Sequence, residues 1–146
     1  MASFQGSGEK VISLALVDQN GAKLYYQIFK TPGDHLVSAG NAHHGIHADM
    51  INSWGVDPRG YHAHRIQAKI RGNLLVGFGI QHDLDCLAKQ GIHLNLPPKS
   101  IIDLAKFSQF KRPPPNNNLV NLGHLVRDVW GLNRGFLHSP VKALLF

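Results

Sequence analysis

Asp83 is the residue of this sequence whose type and position first suggest chemistry. In the stretch LLVGFGIQHDLDCL, residues 74–87, an apolar run ends at two glycines and an acid then opens a predicted helix. Functional groups collect at the carboxyl ends of strands in open α/β sheets, and a carboxylate there can bind a divalent cation. The alternative is an acid favoured by the positive end of a helix, an effect of about 0.3–1 kcal/mol. When Asp83 is considered alone, this structural interpretation is the preferred one.

The histidine-rich segments suggest a second chemistry, zinc binding. HHGIH places His43, His44 and His47 close together, with Asp49 nearby. On a helix, His43 and His47 would share a face, as zinc-binding pairs four residues apart do. Gly45 lies within that turn and weakens the helix. We therefore predict no metal site here.

Nucleophilic and phosphate-cradling motifs find no support. The single cysteine, Cys86, excludes an internal disulfide framework and a cysteine-based zinc site, and we expect it to pack within a helix. There is no G-x-S-x-G elbow, and VGFGIQ has only two of the glycines of a dinucleotide-binding loop.

Positive charge is concentrated toward the end of the sequence. The formal charge is +6, and from residue 101 onward six basic residues face two acids. These six are the candidate nucleic-acid-binding residues: Lys106, Lys111, Arg112, Arg127, Arg134 and Lys142. Such a basic region suits phosphates or an acidic partner, and the alternative is a surface that serves solubility.

The segment KFSQFKRPPPNNN adds aromatic residues to that charge. Phe107 and Phe110 alternate with Lys106, Lys111 and Arg112. Single-stranded nucleic acid is bound by this combination, because the bases stack on aromatic rings while cations contact the phosphates. The alternative is that both phenylalanines belong to the core. The sequence favours neither.

The elements that position these residues predict a mixed α/β domain with helices covering a sheet. VISLALVDQNGAKLYYQIFK reads as a β-hairpin, with Asn20-Gly21 as a type I′ turn signal and a first strand inside the sheet. Further on we expect a short helix over residues 47–54, a helix ending near Gly72, a strand in NLLVGF and a helix in QHDLDCLAKQG. The strand of SIIDLAKF, a helix after Asn118 and an apolar helix start in VKALLF complete the order.

Composition bounds the class of protein. A chain of 146 residues with 43% hydrophobic and 16% charged residues fits one soluble globular domain. We see no apolar run long enough to cross a bilayer and no signal peptide in MASFQGSGEK, so we expect no membrane contact and an intracellular location, cytoplasmic or nuclear.

The sequence resembles the DEDDh 3′–5′ exonucleases, which have a ribonuclease H-like fold. The likeness lies in the hairpin, in NAHHGIHADMI, in LLVGFGIQHDLDCL, in SIIDLAKF and in LGHLVRDVWGLNRGFLHSPVKALLF, and it covers roughly residues 11–146. It implies an α/β, ribonuclease H-like mixed sheet flanked by helices. Asp83 matches the family's second-motif metal-binding aspartate, and His138 matches the histidine that acts as general base.

The departures from the family pattern predict an inactive site. The first strand, with its Asp-x-Glu pair, should precede Val11, where we expect only a flexible tail over residues 1–10. Ala143 stands at the final aspartate, and Phe78 and Gly79 stand where His and Asn are usual. With three of four metal-binding acids missing, one carboxylate does not hold two Mg²⁺ ions.

We therefore expect a degenerate exonuclease-like domain over residues 11–146, without a cofactor. It would bind RNA or single-stranded nucleic acid, and it would self-associate, because loss of a central strand leaves edges to be paired. A nucleocapsid or coat-like role, with a location in the virion, is one form of this hypothesis. The alternative is a Mg²⁺- or Mn²⁺-dependent exonuclease whose ligands are completed by another chain. A further alternative is a protein-interaction module without nucleic acid.

Overall fold

The computed structural model describes residues 2–5, 8–38, 45–111 and 143–145, and over these ranges the protein is mixed α/β. The described helices are α1 (Ala48–Trp54), α2 (Tyr61–Ile70) and α3 (Ile80–Lys89). The described strands are β1 (Ala2–Phe4), β2 (Gly8–Lys10), β3 (Ser13–Asp18), β4 (Lys23–Ile28), β5 (Leu36–Ser38), β6 (Leu75–Gly77), β7 (Ile101–Asp103) and β8 (Ala143–Leu145). Short 3₁₀ turns cover Pro98–Ser100, Leu104–Lys106 and Ser108–Phe110.

The described strands form two sheets. The larger has the order β4-β3-β8-β6-β7, and the smaller has the order β2-β1-β5. In the larger sheet β3 and β4 are antiparallel, whereas β6 and β7 are parallel. β8 lies between the two pairs, parallel to β3 and antiparallel to β6. The sheet is therefore mixed, and β3 occupies the interior position expected from its apolar sequence.

The hairpin of β3 and β4 is confirmed, but its turn is not type I′. That type needs positive φ at both central residues, and here only Gly21 has one, at 81°. The Asp18 carboxylate instead accepts hydrogen bonds from the backbone N–H groups of Asn20 and Ala22, each at 2.8 Å. The Gly21 N–H donates to the Asp18 carbonyl, so a wider turn with one left-handed glycine connects the strands. The Asp18 side chain selects this turn.

Two apolar clusters hold these elements together. The larger packs the sheet against α2 and α3 and includes Leu16, Phe29, Ile66, Ile70, Leu75, Ile80 and Leu87. The smaller gathers Phe4, Ile12, Ile28, Ile46 and Ile51 beneath α1. Successive residues Ile28 and Phe29 therefore contribute to different clusters. Burial on this scale is the main stabilising term for such a domain.

Four expected helical or strand segments lie where the sequence placed them. The short helix after His47, the helix ending before Gly72, the strand before Phe78 and the helix after Gly79 are all present. Isoleucines one turn apart, Ile66 and Ile70, are both buried, as an apolar helix face requires. The predicted helix after Asn118 lies outside the described residues.

Two segments differ from expectation. Residues 1–10, expected to be a tail without strands, contain β1 and β2, which pair in the register Ala2↔Lys10 to Phe4↔Gly8. Lys10 there contacts both carboxylate oxygens of Asp34 at 2.7 Å, and Phe4 is buried, so the hairpin is anchored to the domain. The end of the sequence, expected to begin a helix, forms β8, because its backbone pairs with β3 and β6. The proposed division into residues 1–10 and 11–146 stays a prediction.

Within the ranges described, no helix is long and apolar enough to cross a membrane.

Candidate functional site

The carboxyl ends of β6 and β7 meet at one edge of the larger sheet. The strands are parallel with Gly77 opposite Asp103, so both end at the same level. Gly79, with φ 69° and ψ 29°, turns the chain from β6 into α3. This left-handed conformation is one that glycine adopts without steric cost. Asp83 follows in the first turn of α3, half-buried, as its sequence position predicts.

Asp103 is a carboxylate at this edge that the sequence did not identify as important. It is only 8% exposed, and its Oδ1 accepts hydrogen bonds from the backbone N–H groups of Gly79 at 2.8 Å and Ala105 at 3.0 Å. It therefore ties the start of α3 to the end of β7. The signal was present in SIIDLAKF, where an acid ends an apolar strand, a position that suits a side chain capping the following turn.

His82, one residue before Asp83, lies beside a thiol and a carboxylate. Its Nε2 is 3.8 Å from Cys86 Sγ and 3.9 Å from Glu9 Oε2. A catalytic triad needs the nucleophile and the acid on opposite ring nitrogens, whereas here both face the same one. Cys86 is also buried, as expected for a packed residue. The arrangement does not build a nucleophile.

The described residues include no group of three or more His, Cys, Asp or Glu side chains that could hold a metal ion. His62, in the first turn of α2, contacts the Tyr25 hydroxyl through Nδ1 at 3.0 Å. Its ring also packs edge-on against Phe29. His43, His44 and His138 lie outside the described residues, so the metal-dependent alternative stays a prediction.

Three groups near α2 have shifted pKa values, and each shift has a structural cause. Burial raises the pKa of Tyr25 to about 12, although the nearby Arg65 guanidinium opposes the shift. At the surface, hydrogen bonds from Arg59 lower the pKa of the Asp57 carboxyl, and the same contact raises the pKa of Arg59. This ion pair joins Arg59 Nη2 to Asp57 Oδ2 at 2.7 Å between exposed side chains. None of the three groups lies in a cluster of catalytic type.

Beyond Asp103, residues 106–111 form a basic and aromatic surface, called here the Lys106–Lys111 segment. Ala105 is buried and anchors it, whereas Lys106 and Lys111 are exposed. Phe107 is 48% exposed, and Phe110 is half-buried. The alternative that both rings belong to the core therefore fails for Phe107. The remaining basic candidates, Arg112, Arg127, Arg134 and Lys142, lie outside the described residues.

No protein-family model matches this chain, and no curated protein matches it either. Over its described residues the chain is a mixed α/β domain. The resemblance to DEDDh exonucleases stays a prediction from the sequence.

Proposed function

We propose that this protein binds single-stranded nucleic acid, RNA in particular, through the Lys106–Lys111 segment. The observation that carries the proposal is the exposure of Phe107 beside Lys106, with Lys111 exposed at the other end of the segment. Covering an exposed phenylalanine ring removes apolar surface from water, which is favourable by about 25 cal/mol per Å². A nucleic-acid base is a suitable partner, because it stacks on the ring while its phosphates meet the lysines.

The charge of the segment supports the same ligand. Residues 104–111 contain Lys106 and Lys111 and no acid. The sequence continues with Arg112, and it carries three further basic candidates, so the cation count suits a strand that spans several phosphates. An acidic protein would also be attracted by charge but would not need the exposed ring. The aromatic residue therefore favours nucleic acid over a general acidic partner.

We further propose a ribonuclease H-like domain that has lost hydrolysis. The larger sheet supports it in outline: an antiparallel hairpin, two parallel strands and a helix after the first of them. The family's first strand is central, and the central place of this sheet, between β3 and β6, is held by β8. Phe78, Gly79 and Ala143 at family motif positions support a binding role rather than a metal-dependent one.

Self-association belongs to the same proposal and includes the coat-like form of it. At one end of the larger sheet, β7 pairs only with β6 among the described strands, so its outer backbone groups suit a strand from a second copy. A concentration series by light scattering after size exclusion tests this. A mass that rises with concentration supports it, and a monomer throughout contradicts it.

The binding experiment uses a 5′-labelled single-stranded RNA and fluorescence anisotropy. We expect Phe107→Ala to weaken binding about 5- to 100-fold, because stacking contributes roughly 1–3 kcal/mol per base. Replacing Lys106 and Lys111 together by alanine should lower the slope of log K against log salt by about 0.7 for each lysine that pairs with a phosphate. Unchanged affinity in Phe107→Ala contradicts the proposal.

The control variant is Lys89→Ala, which removes an exposed lysine at the end of α3. It should leave the affinity nearly unchanged if the Lys106–Lys111 segment is the contact. The same RNA is incubated with Mn²⁺ and read on a denaturing gel beside Asp83→Ala. Intact RNA in both samples agrees with the proposal. Stepwise shortening that Asp83→Ala abolishes supports the exonuclease alternative instead.

A further inference from the structure

A cavity of about 660 Å³ opens at the amino ends of β6 and β7. Its walls come from the last turn of α2, from the residues leading into β6, and from the loop leading into β7. The Lys106–Lys111 segment follows the carboxyl end of β7, so the cavity lies at the other end of the same strands. Its volume falls in the range of small-molecule sites, about 300–1,000 Å³.

The charge of the cavity is of one sign. Among the described residues that line it, the charged ones are Arg71 and Lys99, and none is an aspartate or glutamate. Among the residues described, neither cation is within ion-pair distance of a carboxylate, whereas Lys10 and Arg59 elsewhere both are. Two cations that line one cavity, without a described carboxylate partner, attract an anion. Arginine also suits phosphate geometrically, because its planar fork donates two parallel hydrogen bonds.

The rest of the lining is apolar or amide in character. Leu74 is 41% exposed, Leu96 is half-buried, and buried Ile70 lies beneath them. Pro97 adds a flat apolar surface, and Asn73 and Asn95 add amide groups. An apolar wall beside two cations fits a ligand with a flat ring and a phosphate. The amides can contact the ring edge.

The cavity is held open by bonds between its walls. Gln67 Oε1 accepts from the Asn95 backbone N–H at 2.7 Å, and Gln67 Nε2 donates to the Asn95 carbonyl at 3.3 Å. This pair fixes the loop to α2. The loop is stiffened further by Pro97, whose carbonyl accepts from both the Ser100 backbone N–H and its hydroxyl, at 2.8 and 2.7 Å. A preformed cavity loses little entropy when a ligand binds.

We infer that this cavity binds a nucleoside monophosphate, with the phosphate between Arg71 and Lys99 and the base against Leu74, Leu96 and Pro97. The same chemistry occurs in a free nucleotide and at the phosphorylated end of a nucleic-acid strand. The inference stands apart from the Lys106–Lys111 segment, because none of that segment's residues lines the cavity.

The test is calorimetric titration of the full chain with adenosine and uridine monophosphates, the two nucleosides and inorganic phosphate. We expect saturable binding of at least one monophosphate, at least tenfold tighter than its nucleoside or inorganic phosphate. Arg71→Ala and Lys99→Ala should each weaken it about tenfold, as loss of a charge-assisted hydrogen bond does. Leu74→Glu, at an exposed position, should abolish it by repelling the phosphate.

Controls separate this site from the proposed nucleic-acid surface. Lys89→Ala, which lies in neither site, should leave monophosphate binding unchanged. Amide shifts on titration should fall in residues 67–74 and 95–100. A 5′-phosphorylated RNA that competes identifies a strand end as the ligand, and one that does not identifies the free nucleotide. No saturable binding, equal binding of inorganic phosphate, or variants that match wild type would overturn the inference.

Discussion

The charged side chains at the two ends of β6 and β7 differ in burial and in hydrogen bonding. At the carboxyl end Asp103 is buried and accepts two backbone hydrogen bonds, so its charge is used within the fold. At the amino end Arg71 and Lys99 line an open cavity without a described carboxylate partner. A buried charge that is hydrogen-bonded to the backbone holds two segments of the fold together. A charge that faces solvent is available to bind a ligand. Of these three charged groups, Asp103 therefore stabilises the fold, whereas Arg71 and Lys99 are exposed on a cavity wall.

The largest expected effect is a loss of stability on substitution of Asp103. Asp103→Ala removes the acceptor of the Gly79 and Ala105 N–H groups, and removing each hydrogen bond to a charged acceptor costs about 1.5–3 kcal/mol. We expect the free energy of unfolding, measured by urea denaturation, to fall by about 3 kcal/mol. Asp103→Asn keeps one acceptor oxygen, so it should lose less than half of this.

Variants of the two cations at the amino end of β6 and β7 should have little effect on stability. Arg71→Ala and Lys99→Ala remove exposed side chains, so each should change the free energy of unfolding by no more than about 0.5 kcal/mol. If they destabilise the protein as much as Asp103→Ala does, the distinction between the two ends is wrong. The cations would then be part of the fold rather than available to a ligand.

Substitution of one glycine at each end of β6 should lower the stability by the same amount, which is less than that expected for Asp103→Ala. Gly79 and Gly72 both have positive φ, 69° and 77°, and a Cβ at either position meets nothing within 4 Å. Gly79→Ala and Gly72→Ala should therefore each cost about 1–2 kcal/mol, because each places an L-residue in the left-handed region. Urea denaturation of the two variants measures this. A large difference between them would mean that contacts, rather than conformation, decide the cost.

Helices and the hairpin were predicted from the sequence more accurately than the turn type and the long-range strand pairing were. Apolar spacing located α2 and α3, and Asn20-Gly21 located the hairpin, because these signals are local. The turn type depended on the Asp18 carboxylate, which the dipeptide alone does not reveal. β8 has the helix-favouring sequence Ala-Leu-Leu, but its backbone pairs with β3 and β6, which lie far away in the chain.

The candidate sites were only partly predictable for the same reason. Lys106, Phe107 and Lys111 are neighbours in the sequence, so their combination could be predicted, although the exposure of Phe107 could not. The cavity at the amino ends of β6 and β7 joins residues 67–74 to residues 95–100. No local pattern links Arg71 to Lys99, since only the parallel pairing of β6 with β7 brings their segments together. SIIDLAKF places Asp103 at a strand end, where it can cap the next turn, but its bond to the distant Gly79 N–H is visible only in the structure.

The last expected effect depends on pH and concerns a neutral group that the fold keeps from ionising. Burial raises the pKa of Tyr25 from 10.0 to about 12, so the folded state holds this proton more tightly than the unfolded state does. The resulting stability is fully present below about pH 10 and is lost as the pH rises through about 12. Tyr25→Phe should therefore flatten the decline in the free energy of unfolding over that window.

At neutral pH the same variant should cost only about 1 kcal/mol, because it removes one hydrogen bond, between the Tyr25 hydroxyl and His62 Nδ1. Tyr26→Phe is the control, since Tyr26 is 41% exposed and follows Tyr25 on the same strand. Urea denaturation between pH 7 and about pH 11 compares the two. If Tyr26→Phe flattens the alkaline decline as much as Tyr25→Phe does, burial of the Tyr25 hydroxyl is not its cause. Tyr25 and Asp103 are both buried and hydrogen-bonded, so their substitution should change the free energy of unfolding. The exposed Arg71 and Lys99 should instead change the affinity for a ligand.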